Sequence, residues 1–173
     1  PSVSFEFGSK RLHMFSPEDV SEIRERLNIK EHNDETIYDD FFEFVEERDY
    51  TLSYKMPFLL GFVRHMDDNG DAKIDSILDY YIEFYENRIA QGLPVDRSAC
   101  PYNSERLKDR KYIMRNMLTN PFEKFERKRF MYYSKELGII SMNHALHSRL
   151  TAGDYDAVVK QMNDDLQDYY EKL

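Results

Sequence analysis

Residues 104–143 decide the fold, and they read SERLKDRKYIMRNMLTNPFEKFERKRFMYYSKELGIISMN. The first part predicts a helix capped by Ser104, because apolar residues return at helical spacing along one side. An aromatic strand pair follows at residues 130–133 and 138–142. A basic helix that leads into a two-stranded hairpin is typical of a winged helix-turn-helix, which presents these elements to a nucleic acid.

The same stretch reverses the charge of the chain around it. Residues 105–129 hold nine bases and four acids, a net of +5, whereas the whole chain carries −9 and the remainder therefore −14. Phosphate binding depends on a local positive patch more than on net charge. The expected nucleic-acid contacts are Arg106, Lys108, Arg110, Lys111 and Arg115 on the helix, Lys124, Arg127, Lys128 and Arg129 at the base of the wing, and Tyr132, Tyr133 and Lys135 on the wing.

These basic residues allow a second interpretation. Lys and Arg on a helix commonly form a solvated face, and residues 108–115 can also pair with the acidic N-terminal third of the chain. Tyr132 and Tyr133 favour nucleic-acid contact, because tyrosines stack on bases or bond phosphates. Contact with DNA, contact with RNA and contact with protein are therefore all open at this point.

The helices upstream complete the winged-helix order. Apolar residues at helical spacing predict helices over residues 53–66 and from a cap at Asp75 to Gly92, with a short strand fragment at residues 72–74 between them. Helix, strand, helix, basic helix and hairpin together span residues 53–142. The loop at residues 93–103 is longer than the turn of about three or four residues in a standard helix-turn-helix, so we expect an insertion there.

We therefore predict a mostly α fold with a small β-hairpin, in which a winged helix-turn-helix-like domain has flanking helices. Residues 1–52 form an acidic N-terminal annex, residues 53–142 the winged-helix-like domain, and residues 143–173 C-terminal helices packed on it. In the annex, residues 3–7 predict a strand, and helices are predicted from a start at Ser16 and Pro17 and over residues 34–48. Residues 17–50 hold 13 acids and four bases, so this segment can mask the basic patch as an internal DNA mimic.

Composition excludes several classes of protein. The single cysteine, Cys100, excludes an internal disulfide and a multi-cysteine zinc site, which fits the reducing cytoplasm. No apolar run approaches the ~18–20 residues that a bilayer crossing needs, so no membrane partner is expected. The chain begins at Pro1 without a methionine, and we interpret it as a piece of a longer or processed polypeptide.

Candidate catalytic and metal-binding motifs fail on spacing. Residues 67–75, DDNGDAKID, resemble a calcium loop, but neither register places both a glycine and a terminal glutamate correctly. His144 and His147 stand three apart without a nearby Cys or Glu to complete a metal site. No phosphate-binding glycine loop is present. We expect no metal, no cofactor and no catalysis by this chain alone.

Several short motifs resemble a known family. They are SYKM at residues 53–56, FYENR at 84–88 with GLPV at 92–95, NPFEKFERKRFM at 120–131 with SKEL at 134–137, and DDLQDYYEKL at 164–173. This part of the chain is similar to the C-terminal region of bacterial DEAD/DEAH-box superfamily 2 helicases of restriction or defence type. The resemblance implies an ATPase core upstream, a DNA partner, and an accessory domain that grips DNA. The alternative is a regulatory module that couples the motor to a protein partner without touching DNA.

Overall fold

The computed structural model describes residues 3–7, 10–27, 33–48 and 50–173. The fold is mostly helical with small antiparallel sheets, as the sequence predicts. The chain divides into two compact units, Pro1–Thr36 and Ile37–Leu173.

The smaller unit contains a hairpin and a helix. Strands β1 (Val3–Phe7) and β2 (Lys10–Met14) pair antiparallel, with Phe5 opposite Leu12. Helix α1 (Pro17–Leu27) begins as predicted. The Ser16 hydroxyl accepts from the backbone N–H of Asp19 at 3.1 Å, and the Asp19 carboxylate accepts from the Ser16 N–H at 3.2 Å. This reciprocal pair satisfies donors that the first helical turn would otherwise leave without partners.

The larger unit holds the remaining helices and three strands. Its elements in chain order are α2 (Ile37–Glu46), α3 (Lys55–His65), β3 (Asp71–Lys73), α4 (Ile74–Ala90), α5 (Ser104–Leu107), α6 (Arg110–Met117), a π-helical turn (Leu118–Phe122), α7 (Glu123–Arg127), β4 (Met131–Ser134), β5 (Ile139–Met142), α8 (His144–His147) and α9 (Ala152–Glu171). Pro121 lies inside the π-helical turn, where the sequence predicts an interruption.

The sheet of the larger unit joins the hairpin to the helix pair before it. Its strand order is β3-β5-β4, and both pairings are antiparallel. Ile140 of β5 lies opposite Ala72 of β3 on one side and Tyr133 of β4 on the other. Because Ala72 and Ile140 are buried, the short strand β3 anchors the hairpin to the core formed by α3 and α4.

Helix α2 belongs to this core. Phe44 of α2 packs edge-on against Phe125 of α7 at 5.0 Å, and Phe41 packs against Phe130 at 5.4 Å between ring centroids. This compact unit starts at Ile37, and the predicted boundary of the acidic annex lies after residue 52. Most of the acidic residues of α2 are exposed, and its buried Phe41 and Phe44 join it to the core of the larger unit.

Two predicted helix caps are wrong. Asn103, not Ser104, caps α5, and its side chain accepts from the backbone N–H groups of Glu105 and Arg106. Asp109 caps a separate helix α6, so the single helix predicted from Ser104 is two helices, α5 and α6. Helix α4 begins at Ile74 without a side-chain cap, which leaves Asp75 inside its first turn. At α9 the predicted capping box of Thr151 and Asp154 is confirmed.

The long loop at residues 93–103 packs against the helices. Tyr102 stacks on Tyr54, the residue before α3, at 5.0 Å, and it also contacts Tyr81 and Tyr85 of α4. Asp96 of the same loop accepts hydrogen bonds from the Ser53 hydroxyl at 2.6 Å and the Tyr169 hydroxyl at 2.5 Å. The loop is thus an integral part of the core of the larger unit.

Candidate functional site

All the basic residues predicted to bind nucleic acid are exposed. They are Arg106, Lys108, Arg110, Lys111, Arg115, Lys124, Arg127, Lys128, Arg129 and Lys135. The apolar residues interspersed with them are buried, among them Leu107, Ile113, Met117 and Phe125. The segment therefore places its apolar side chains in the core and its charges in water, as an amphipathic helix does.

The basic residues of α5 and α6 have different partners. The Arg106 and Arg115 guanidinium groups lie over the Tyr112 ring, at 4.7 and 5.9 Å from its centroid. Arg110 instead turns toward α4, where it forms ion pairs with Asp79 and, at 3.5 Å, with Asp75. The hydrogen bond from Arg110 to Asp79 raises the pKa of Arg110. Arg110 is therefore the member of this set whose charge is most directly neutralised within the chain.

The predicted aromatic residues of the wing are only partly available. Tyr132 is 42% exposed, and its hydroxyl accepts from the Asn143 side-chain amide at 3.0 Å. Tyr133 is half-buried and contacts the Phe122 ring. Arg129 precedes the wing with a φ of 62°, a left-handed conformation that is uncommon for a residue with a side chain. It directs the chain from α7 into β4.

A cleft of about 520 Å³ lies where α2, α3 and α7 meet, and we call it the cationic cleft. Its described lining residues are Phe44, Glu47, Tyr50, Thr51, Leu52, Tyr54, Lys55, Asn120, Pro121, Lys124, Arg127 and Lys128. Four of these lining residues are bases, and Glu47 is the sole acid among the described lining residues. Volumes of about 300–1,000 Å³ are typical of small-molecule sites.

Lys55 lies at the base of the cationic cleft and is absent from the sequence-predicted set. Its ammonium donates to the backbone carbonyls of Phe44, of Val45 at 3.4 Å and of Glu47 at 3.2 Å, at the C-terminal end of α2. Burial lowers the pKa of Lys55 to about 8, and the neighbouring Glu47 and Asp165 partly oppose that shift. The sequence signal for this buried cation is that Lys55 lies among apolar residues in the helix predicted over residues 53–66.

The other cations of the cationic cleft come from α7 and the residue after it. Lys128 lies over the Phe44 ring at 5.3 Å, and Lys55 lies over the same ring at 4.2 Å. Arg127 forms an ion pair with Glu123 one helical turn earlier, at 3.7 Å. Lys124, Arg127 and Lys128 are all exposed, so the mouth of the cleft is positively charged.

A second, smaller cleft of about 120 Å³ shares Tyr50 with the first, and we call it the ion-pair cleft. Asp165 is 1% exposed there and accepts from the Tyr50 hydroxyl, from Arg48 at 3.0 Å and from Gln161 at 2.8 Å. Burial, followed by the hydrogen bond to Asp165, raises the pKa of Tyr50. Arg48 also binds Asp168 at 3.2 Å.

The other candidate motifs have structural partners. The Asp67 carboxylate accepts from the backbone N–H groups of Asn69 at 2.9 Å and Asp71 at 3.0 Å, which closes the turn that resembles a calcium loop. His147 bonds the Tyr155 hydroxyl at 2.7 Å and the Asp68 carbonyl at 3.1 Å. Within the described ranges, no three His, Cys, Asp or Glu side chains converge as metal ligands would.

None of the helices in the described part of the chain combines the length and apolar character that crossing a membrane requires. Comparisons of the chain with protein-family models, with curated proteins and with solved structures return no match.

Proposed function

We propose that this chain is a non-catalytic accessory domain that binds the backbone of a nucleic acid, with DNA as the expected ligand. The observation that carries the proposal is the exposure of all ten basic residues on the segment from α5 to the wing. Phosphate contacts need accessible Lys and Arg side chains, and they supply most of the sequence-independent affinity.

The proposal includes a winged-helix-like arrangement over residues 53–142. Support comes from the order of elements, in which α3, β3 and α4 precede the basic helices and the β4–β5 hairpin. Support also comes from the pairing of β3 with β5, since it ties the hairpin to the first two helices. In this arrangement the hairpin is the wing, and the basic helices α5 to α7 lie between α4 and the wing.

The proposed setting is a cytoplasmic helicase or restriction-type machine with an ATPase core elsewhere. The resemblance of residues 53–173 to superfamily 2 helicases motivates this setting. In such a machine the domain holds the duplex or fork while the motor moves along it. The competing function, a module that couples the motor to a protein partner, uses the same exposed residues without phosphate contact.

The test is a salt titration of binding to a fluorescent duplex closed at both ends by loops. The logarithm of the binding constant should fall with the logarithm of salt concentration, with a slope of about −0.9 for each phosphate contacted. The full chain is used because α2 contributes Phe41 and Phe44 to the core, so a chain cut at residue 51 would lose them.

A matched pair of variants separates specific contacts from net charge. Lys111→Gln/Arg115→Gln removes two cations of α6, and Lys160→Gln/Lys172→Gln removes two cations at α9. The first variant should make the slope shallower by about 0.9 for each phosphate that is no longer neutralised, while the second leaves it unchanged. A slope near zero for the unmodified chain would refute DNA binding and favour the protein-interaction function.

A further inference from the structure

The cationic cleft differs from the rest of the basic surface because it is concave. Exposed cations on a helix can follow a phosphate backbone, but a cleft of about 520 Å³ can surround a small ligand. Its cations come from distant parts of the chain, with Lys55 on α3 and Lys124 and Arg127 on α7. This convergence is a property of the tertiary structure and not of the basic segment alone.

We propose that the cationic cleft binds a phosphorylated nucleoside, either as a free nucleotide or as the terminal nucleotide of a single strand. For the strand end, the inference rests on the proposed function and identifies where a strand would terminate. For the free nucleotide, it is independent of that function. In both cases the recognised chemistry is a phosphate attached to a sugar and a base.

The phosphate would bind at the mouth of the cleft. Lys124, Arg127 and Lys128 are exposed there, and Arg127 offers a planar fork that suits phosphate oxygens. Lys55 contributes its charge from below, since its ammonium donors already bond the carbonyls at the end of α2. A buried cation of this kind attracts an anion more strongly than an exposed one, because solvent screens it less.

The nucleoside would occupy the part of the cleft that Tyr50, Leu52 and Pro121 line. Tyr50 and Leu52 are half-buried, and together with Pro121 they line the cleft and provide apolar surface for a flat base. Base stacking on an aromatic side chain contributes about 1–3 kcal/mol in single-strand binding proteins. Glu47 and Asn120, both exposed in the lining, offer acceptors for the hydroxyl groups of a sugar or the amino group of a base.

Isothermal titration calorimetry on the full chain tests the inference with four probes. They are adenosine monophosphate, inorganic phosphate, a short single strand with a 5′-phosphate, and the same strand without it. We expect adenosine monophosphate to bind more tightly than inorganic phosphate, because the nucleoside adds contacts. Tighter binding of the phosphorylated strand than of the bare one would identify a strand end as the ligand. Equal binding of both strands would identify a free nucleotide as the ligand.

The variant pair provides the control. Lys124→Gln/Arg127→Gln should weaken nucleotide binding about tenfold or more, equivalent to about 1.4 kcal/mol. Lys160→Gln/Lys172→Gln removes the same charge outside the cleft and outside the basic segment, and should leave nucleotide affinity unchanged. Far-UV circular dichroism of both variants checks that the fold is retained. Equal nucleotide affinity in the cleft variant and the unmodified chain would overturn the inference.

The closed duplex separates this inference from the proposed function, because it has no strand end. If the chain binds the closed duplex but neither the nucleotide nor the phosphorylated strand, the proposed function is supported and nucleotide binding in the cationic cleft is refuted. If the chain binds adenosine monophosphate but not the closed duplex, nucleotide binding in the cationic cleft is supported and the proposed function is refuted.

Discussion

Tyr50 lines two clefts that differ in how far their positive charges are balanced by carboxylates. In the ion-pair cleft, Arg48 is held by Asp165 and Asp168, and the Tyr50 hydroxyl donates to Asp165. In the cationic cleft, Lys55, Lys124, Arg127 and Lys128 have Glu47 as their only acid among the described lining residues. The two clefts share a wall, but only one of them is nearly balanced in charge.

The difference separates structural charges from charges that can serve a ligand. Removing a buried carboxylate leaves its donors without their acceptor, so the fold loses stability when it is replaced. Exposed cations around a concave surface add little to stability, since water screens them, and their charge can attract an anion. Substitutions in the ion-pair cleft should therefore reduce stability, and substitutions at the mouth of the cationic cleft should reduce binding.

The largest expected effect is a loss of folding stability at high pH. It involves tyrosines of the ion-pair cleft and of the core together. Burial raises the pKa of Tyr54, Tyr81, Tyr85 and Tyr50, and raises that of Tyr170 to about 12. In the unfolded chain these hydroxyls ionise near pH 10, so above that pH the unfolded state binds fewer protons and stability falls. Each such tyrosine contributes about 1.4 kcal/mol per pH unit.

Urea unfolding followed by far-UV circular dichroism at pH 8, 9, 10 and 11 measures this loss. Several tyrosines acting together should remove most of the stability of about 5–15 kcal/mol that a domain of this kind has. Stability that stays constant between pH 9 and 11 would show that the hydroxyl network is not as buried as the fold implies.

The second effect concerns Asp165 directly. Replacing Asp165 by alanine leaves Arg48, the Tyr50 hydroxyl and Gln161 without their shared acceptor. We expect a loss of about 2–3 kcal/mol in the free energy of unfolding, measured by urea titration at neutral pH, because the Tyr50 hydroxyl and Gln161 lose a charged acceptor while the exposed Arg48 keeps Asp168. Asp168→Ala is the control, since Asp168 is half-exposed and its pair with Arg48 should contribute only about 0–1 kcal/mol. Similar losses for both variants would contradict the comparison.

Lys55 gives a third, smaller effect, because it is the structural cation of the cationic cleft. Lys55→Met removes the donors that satisfy the carbonyls at the end of α2, and we expect a loss of about 1–3 kcal/mol at pH 7. The folded-state pKa of about 8 lies below the ordinary 10.5, so the unfolded state binds more protons between these values. Stability of the unmodified chain therefore rises with pH in this window.

Consequently the penalty of Lys55→Met should be larger at pH 9.5 than at pH 7, and paired urea titrations at the two pH values measure it. If Lys55→Met costs less free energy of unfolding at pH 9.5 than at pH 7, the charged form of Lys55 is the one that stabilises the fold, and burial does not disfavour it.

The smallest effect is expected at the mouth of the cationic cleft. Lys124→Gln removes an exposed charge, so the free energy of unfolding should change by no more than about 0.5 kcal/mol. Thermal and urea unfolding of this variant next to the unmodified chain measure the change. A loss above about 1 kcal/mol would indicate that Lys124 is held in a structural interaction, which would weaken its role in ligand binding.

Local sequence signals predicted the parts of the fold that short-range bonds decide. Ser16 with Asp19 and Thr151 with Asp154 form reciprocal caps within four residues, so their partners were already visible in the chain. The sequence places the cap of α5 one residue too far along the chain, because Asn103 and Ser104 both have suitable side chains. The sequence does not predict strand β2, since KRLHM alternates weakly between polar and apolar residues.

The candidate site was only partly predictable. The sequence indicated which residues are basic and exposed, and those in α5 to α7 are exposed as expected. It did not indicate that Arg110 turns to Asp75 and Asp79, about thirty residues earlier in the chain. Nor did it place Lys55 beside Lys124 and Lys128, because those residues meet only after α2, α3 and α7 pack together.

By itself the sequence determined the helical composition, the hairpin and the reversal of charge over residues 105–129, because spacing and local hydrogen bonds decide these properties. The tertiary structure alone decided which cations are neutralised by carboxylates and which surround a cleft. Coulomb interactions and burial depend on distances between side chains from remote segments. Those distances exist only once the core around Phe44, Phe58 and Phe125 has formed.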